Sequence, residues 1–515
     1  MNDDNFFSII RLNLLCLYFK FIKIFPIIIS LYSFTVTYSF AETHENINSL
    51  IGLATLKEQV RKELQMLNIP NHSWLPQHVI SDSIIILDVA IIGGGMNGLA
   101  TSFALIKEGI NNVKVFDENT CGKEGPWARY ARMNVLRSGK TDLGPSLGIP
   151  SLTFWAWYEV QYGSENWKQL KSIPTHLWNS YLCWFKNVLN LPVENNITLK
   201  SILPLNDFFE LSFEKQGMEQ LVYARKVVLA TGRDGAGGKE IPVYMKNIAL
   251  HLYAHTIEQI DLESLANKKI AIIGAGASAF DAAAAALEHG ARSVDIIIRR
   301  EGLPRANDHL PFNQPGAGLG FYYLSDQERW ASFSEWLGHG IPPPKETLHR
   351  VENFKNLTVH YSTRVQNISD NGVTARISTS KGDFDVDFII LATGFAVDLS
   401  RRPELASFYS EILLWGNRVP SALSTANSKL GRFPYLGPHF EFLAANPGAA
   451  KHLKNIYCFN YGAFLSHGLL GGDIGLNSVG AIRVAEGILI DFFLENAKTS
   501  LSTSPNLTIS PNQNF

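Results

Sequence analysis

Twice along this chain a short apolar strand runs straight into a glycine-rich turn that opens a helix, and nothing else restricts the fold so tightly. The first copy is Val89-Ala90-Ile91-Ile92 followed by Gly93-Gly94-Gly95-Met96-Asn97-Gly98. The second is Ile270-Ala271-Ile272-Ile273 followed by Gly274-Ala275-Gly276-Ala277-Ser278-Ala279. In such a turn the first glycine makes the bend and the second lets backbone approach a pyrophosphate. The third, or an alanine, lets the helix pack closely, with its first N–H groups facing the phosphates. Gly93, Gly95 and Gly98 therefore form one candidate dinucleotide cradle, and Gly274, Gly276 and Ser278 a second. Each copy leads to its own Ala-Thr-Gly strand end, Val227-Val228-Leu229-Ala230-Thr231-Gly232 and Phe388-Ile389-Ile390-Leu391-Ala392-Thr393-Gly394. The repeated order of fingerprint, hairpin and Ala-Thr-Gly predicts an α/β chain of two Rossmann-like three-layer domains, the second inserted in the first.

The strand after each fingerprint separates the two nucleotides. Val113-Lys114-Val115-Phe116 ends in Asp117-Glu118, and an acidic group about 20 positions past the glycines suits a ribose diol. Val294-Asp295-Ile296-Ile297-Ile298 ends instead in Arg299-Arg300, cations that suit a 2′-phosphate. The expected cofactors are FAD at the first site, with Asp117, and NADPH at the second, with Arg299 and Arg300. Two dinucleotides in one chain imply electron transfer between them.

Length and composition set limits. At 515 residues the chain exceeds one ordinary core. A formal net charge of −2 and no basic stripe leave no footprint for nucleic acid. Cys16, Cys121, Cys183 and Cys458 form no C-x-x-C pair, and no His/Cys spacing suits a metal. The expected layout is a signal-like or anchor segment at 1–41, a lead-in at 42–84 with a helix over 53–67, and a first FAD part at 85–265. An NADPH domain at 266–385, a FAD return part at 386–497 and a disordered tail at 498–515 follow.

Residues 6–41 are apolar apart from Arg11, Lys20 and Lys23 and read as a secretory signal or membrane anchor, which would bring membrane association. The charge bias points the remainder away from the cytoplasm, whereas use of NADPH requires cytoplasmic access. The sequence leaves the localisation and the oligomeric state open.

The order of motifs resembles that of the two-Rossmann flavin monooxygenases: flavin-containing monooxygenases, Baeyer–Villiger enzymes and microbial N-hydroxylases. Asp387 to Phe395 is similar to the D-x-x-x-[LF]-A-T-G-[YH] element of the N-hydroxylases, and Gly125-Pro126-Trp127 resembles a Gly-x-Trp element of the superfamily. Leu136-Arg137-Ser138-Gly139-Lys140 falls where relatives line the flavin ring. The stretch from Tyr461 through Gly471-Gly472-Asp473 looks like the return that closes over it. Within the superfamily the chain resembles a bacterial branch of mostly unassigned activity, and FAD-dependent urate hydroxylases of the two-Rossmann type look like neighbours of that branch. The F-x-G-x-x-x-H-x-x-x-[WF] signature is absent apart from a fragment at Leu252 to Thr256, which argues against ketone oxygenation.

The resemblance implies that NADPH reduces the flavin, that O2 adds to it as a C4a-hydroperoxide, and that a small molecule is hydroxylated. It implies cofactor contacts from Trp127, Thr231, Gly232, Thr393, Gly394 and Asp473. Arg137, Ser138, Asn307 and His467 are the candidate catalytic groups, with Lys140, Ser466 and His309 near them. Because the flavin carries the chemistry, no acid–base triad is needed. The aromatic stretches 154–158 and 312–323 read as core or as walls that exclude water. The alternatives are an NAD(P)H oxidoreductase without oxygen insertion and a non-catalytic redox sensor.

Overall fold

The computed structural model describes residues 49, 51–81, 84–303, 311–314, 316–340 and 342–502. Two sheets form its frame, the first mixed and the second parallel. In the first, the strand Ile84–Ile92 lies between Val113–Phe116 and Met218–Leu229, with Val193–Glu194 beyond the former. Ile456–Tyr457 adds in parallel beside Val227 and Val228, so the C-terminal part of the chain completes the sheet that the N-terminal part began. These strands are apolar because both faces are covered; Val89, Ala90 and Ile91 are fully buried. Met218–Leu229 is long enough to serve twice. Its first half pairs antiparallel with Phe209–Lys215, and its second half pairs parallel with Ile84–Ile92.

The second sheet is parallel throughout, in the order Leu357–His360, Ser293–Ile297, Lys269–Ile273, Phe388–Leu391, Tyr253–His255. A separate three-stranded antiparallel sheet runs over residues 365–386. This sheet membership widens the second unit beyond the expected limits of 266 and 385. Tyr253–His255 and Phe388–Leu391 both pair within the second sheet. Leu357–His360 is likewise one of its parallel strands.

Near both termini the outcome differs in detail. A helix over 51–66 occupies the lead-in as expected. The C-terminal helix Asn477–Ser502 continues past 498, so the start of the expected disordered tail is helical. No helix among the described residues is long and apolar enough to cross a membrane. The apolar segment 6–41 lies outside the described residues, as do Asn307 and His309.

The aromatic stretch 154–158 belongs to a helical layer over the first unit. Phe154, Trp157 and Tyr158 are buried there with Trp178 and Tyr181, which is the core reading of those rings.

Candidate nucleotide and redox site

Both glycine turns contain positions where no side chain fits. Gly93 has φ of +106°, and a Cβ there would stand 2.4 Å from the Ala230 carbonyl oxygen. At Gly98 it would stand 1.9 Å from the Gly93 oxygen. Gly95 caps the helix Met96–Lys107, whose first N–H groups lack intrahelical partners and face the mouth of the turn. Gly94 donates its N–H to Asp117 Oδ2 at 2.7 Å, and Asn119 donates to Oδ1 at 2.8 Å. Burial pushes the Asp117 carboxyl above its ordinary range, while these amides pull it down. The Asn119 side chain also donates to Oδ1, at 2.9 Å, so it is Oδ2 that keeps a second lone pair for a ribose hydroxyl. Glycine cradle, helix terminus and acidic strand end together fit an adenine dinucleotide.

Asn97, one of the variable positions of the fingerprint, does more than the motif suggests. Its amide donates to the carbonyls of Phe459 and Gly471 at 3.1 and 2.9 Å, and its oxygen accepts from Asn477 at 2.7 Å. The first helix is thereby tied to the C-terminal return. Thr231 serves the same junction, accepting from Asn460 at 3.0 Å, and Gly232 takes φ of +75° while its carbonyl accepts from Tyr461 N–H at 3.2 Å. Asp473 lies in the return, half-buried, and accepts from Leu476 N–H at 3.2 Å. Burial raises its carboxyl, with neighbouring amides opposing. Trp127 packs edge-on to Trp178, their centroids 6.4 Å apart, beside Gly125 and Gly95.

The second cradle repeats the design. A Cβ on Gly274, at φ of +152°, would stand 2.4 Å from the Ala392 oxygen. Gly276 caps the helix Ala277–Glu288, and Ser278 is exposed on its first turn. A cavity of about 700 Å³ opens here, lined by Gly274, Gly276, Arg299, Arg300, Arg364 and Thr393. The two arginines expected to read a 2′-phosphate part company. Arg299 is exposed at the cavity. Arg300 instead donates to the His339 carbonyl, and at 3.4 Å to that of Leu337, behind the helix Asp326–His339. Arg364, just before the strand Val365–Asp370, is the second exposed guanidinium lining the cavity. Thr393 donates to the Glu240 carbonyl at 2.5 Å and Gly394 accepts from Glu240 N–H, so this Ala-Thr-Gly end also anchors a chain connection.

Two candidate catalytic groups take other roles. Arg137 points to the second unit and pairs with Asp281 at 2.8 Å. His467 is fully buried, stacked between Phe440 and Tyr322 at centroid distances of 3.9 and 4.9 Å. Its Nε2 lies 3.0 Å from the Gly437 carbonyl, and burial beside Arg483 keeps the ring well below its ordinary pKa. It is a neutral core histidine. Ser466 is equally buried, its hydroxyl 3.0 Å from Trp415 Nε1. Ser138 is half-buried in the loop beside Arg137, and Lys140 donates to the Trp167 carbonyl at 2.7 Å.

Known proteins share this arrangement. Residues 90–311 match the pyridine nucleotide-disulphide oxidoreductase family. A FAD-dependent urate hydroxylase from Xanthomonas campestris pv. campestris is 34% identical over 449 residues, spanning 87% of this chain and 94% of that protein. The ornithine hydroxylase of Pseudomonas aeruginosa superposes with a TM-score of 0.63 at 16% identity, covering 78% of this chain and 98% of its own. An ornithine N-hydroxylase of Kutzneria sp. 744, solved with reduced FAD, NADP+ and L-ornithine, gives 0.61 at 14% identity, covering 79% and 99%. At such identities the two structures speak for the fold, and the Xanthomonas relative speaks for the family. The chain belongs to the two-Rossmann flavin monooxygenases, FAD-dependent oxidoreductases that hydroxylate small molecules.

Proposed function

We propose that this protein draws reducing equivalents from NADPH and hydroxylates urate or a closely related oxidised purine. The observation that carries this reading is the 34% identity to a FAD-dependent urate hydroxylase across 94% of that relative. Both cradles are intact, as such an activity requires. The turn at Gly93 to Gly98 and Asp117 would hold FAD; Gly274, Gly276 and Arg299 would hold NADPH, with Arg364 beside the 2′-phosphate. FAD held there would supply the redox chemistry, hydride acceptance from NADPH and activation of O2, with one oxygen atom entering the substrate and the other leaving as water.

The chain's own residues bind, orient and keep water out. Asn97, Asn460 and Asn477 lock the C-terminal return over the first cradle. A closed return limits unproductive loss of activated oxygen to solvent. No residue of this chain has to act as a nucleophile.

The test is made on protein carrying FAD. NADPH added without oxygen is expected to bleach the visible flavin spectrum, and urate is expected to stimulate NADPH oxidation once air is admitted. NADPH oxidation that yields only hydrogen peroxide with urate and related purines would favour an oxidase without oxygen insertion.

A further inference from the structure

The two nucleotide units are joined by two chain crossings that run side by side. Residues 236–240 lead out of the first unit and 394–398 lead back. Glu240 N–H donates to the Gly394 carbonyl at 3.0 Å, Ala396 to Gly238 at 2.9 Å and Asp398 to Ala236 at 2.7 Å. Gly237 admits no side chain there, since a Cβ would stand 2.5 Å from Asp398 N. A two-stranded ribbon of this kind fixes one edge between two bodies and leaves rotation about that edge to other contacts.

One set of such contacts comes from the loop 126–140 of the first unit. The loop is held to its own unit by Leu136 N–H on the Ile173 carbonyl at 2.8 Å and Thr175 N–H on that of Asn134 at 2.9 Å. From it, Arg132 reaches across to the carbonyls of Thr256 and Glu258 at 2.6 and 2.7 Å. Arg137 reaches Asp281 Oδ2 at 2.8 Å. Asp281 stands on the helix that opens at Gly276 and is 3% exposed. Its other oxygen accepts the Thr347 hydroxyl at 2.8 Å, and Arg350 lies 3.8 Å from it while donating to the Arg132 carbonyl at 2.9 Å. A carboxylate this buried depends on its partners on both sides, so losing one leaves a costly unpaired charge. Alanine would suit that helix face equally well for packing, and the run on either side of Asp281 is alanine-rich.

We propose that Asp281, gripped by Arg137 and braced by Thr347 and Arg350, is the positioning residue that sets the NADPH unit against the FAD unit for hydride transfer. The inference rests on the function proposed above. The side-chain partners of Asp281 are Arg137, Thr347 and Arg350, and it acts through the rotation that the ribbon permits. A misplacement of about 1 Å between reacting groups is enough to cost on the order of 100-fold in rate.

The experiment uses the full FAD-loaded protein in anaerobic stopped flow. Asp281→Asn and Arg137→Met are expected to slow flavin reduction at saturating NADPH by roughly 10- to 100-fold. FAD content, NADPH affinity and reduction by dithionite are expected to stay near wild type, and Arg137→Lys is expected to restore most of the rate. A purely structural role would lower FAD content or stability without a selective loss of the NADPH step. If both variants, or Arg137→Met alone where Asp281→Asn does not fold, are reduced within about twofold of wild type, the positioning role is wrong. If wild-type protein is itself not bleached by NADPH, the functional reading falls and the inference with it.

Discussion

An alanine at position 98 would place its Cβ 1.9 Å from the Gly93 carbonyl oxygen, inside the closest approach of any real side chain. Gly98→Ala must push the helix off the turn, at a cost of about 1–3 kcal/mol for overpacking. The expected outcome is protein purified with little flavin, read from its visible spectrum; full FAD content would contradict this account of the cradle. The adjacent arginines of the second site separate as cleanly. Arg299→Ala removes an exposed cation from the cavity and is expected to raise KM for NADPH by roughly 10-fold or more, the value of a charge-assisted hydrogen bond. KM for NADH should change little. Arg300→Ala removes hydrogen bonds to Leu337 and His339 and is expected to lower Tm without altering the choice between NADPH and NADH.

At the scale of elements, what the sequence made legible was whatever backbone geometry forces on residue type. The turns at Gly93 and Gly274 demand glycine, so their position, their helices and their strands could be read directly. Side chains that act through distant partners could not. Asn97 occupies a variable position of its fingerprint, and its partners Phe459, Gly471 and Asn477 are more than 350 positions away in the chain. Asp281 did leave a signal: it is the one charged residue from Ala277 through Leu287, and a charge inside a buried apolar helix needs a partner. His467 misled because a histidine in a glycine-rich return has the look of chemistry, whereas Phe440 and Tyr322 enclose it. Asn97→Ala tests the junction. Two buried carbonyls lose their donor, at about 1–3 kcal/mol each in the limit of full desolvation. FAD affinity is expected to fall by about tenfold or more in a titration of the apoprotein, while NADPH affinity is unaffected.

For the whole molecule, the second sheet carries a titration that acid should expose. His255 ends the strand Tyr253–His255 and is fully buried. Burial pushes its imidazole from the ordinary 6.5 down to about 4. Below pH 6.5 the unfolded chain therefore binds a proton that the folded chain refuses until about pH 4. Stability from this group is complete above pH 6.5 and is lost as pH falls through that window. His255→Asn is expected to flatten the fall in unfolding midpoint between those pH values; an unchanged slope would place the acid sensitivity elsewhere. The larger architecture was legible as two repeated units, but their limits were not. Strand membership is decided by pairing, and Tyr253–His255 and Phe388–Leu391 pair with Phe388–Leu391 and Lys269–Ile273 respectively.

Isotope labelling tests the proposed oxygen transfer most directly. FAD-loaded protein would be given NADPH and urate under 18O2, with NADPH consumption and the mass of the product followed together. The account predicts one 18O atom in the hydroxylated product for each NADPH consumed. NADPH consumption with label only in hydrogen peroxide or water, across urate and related purines, would contradict it.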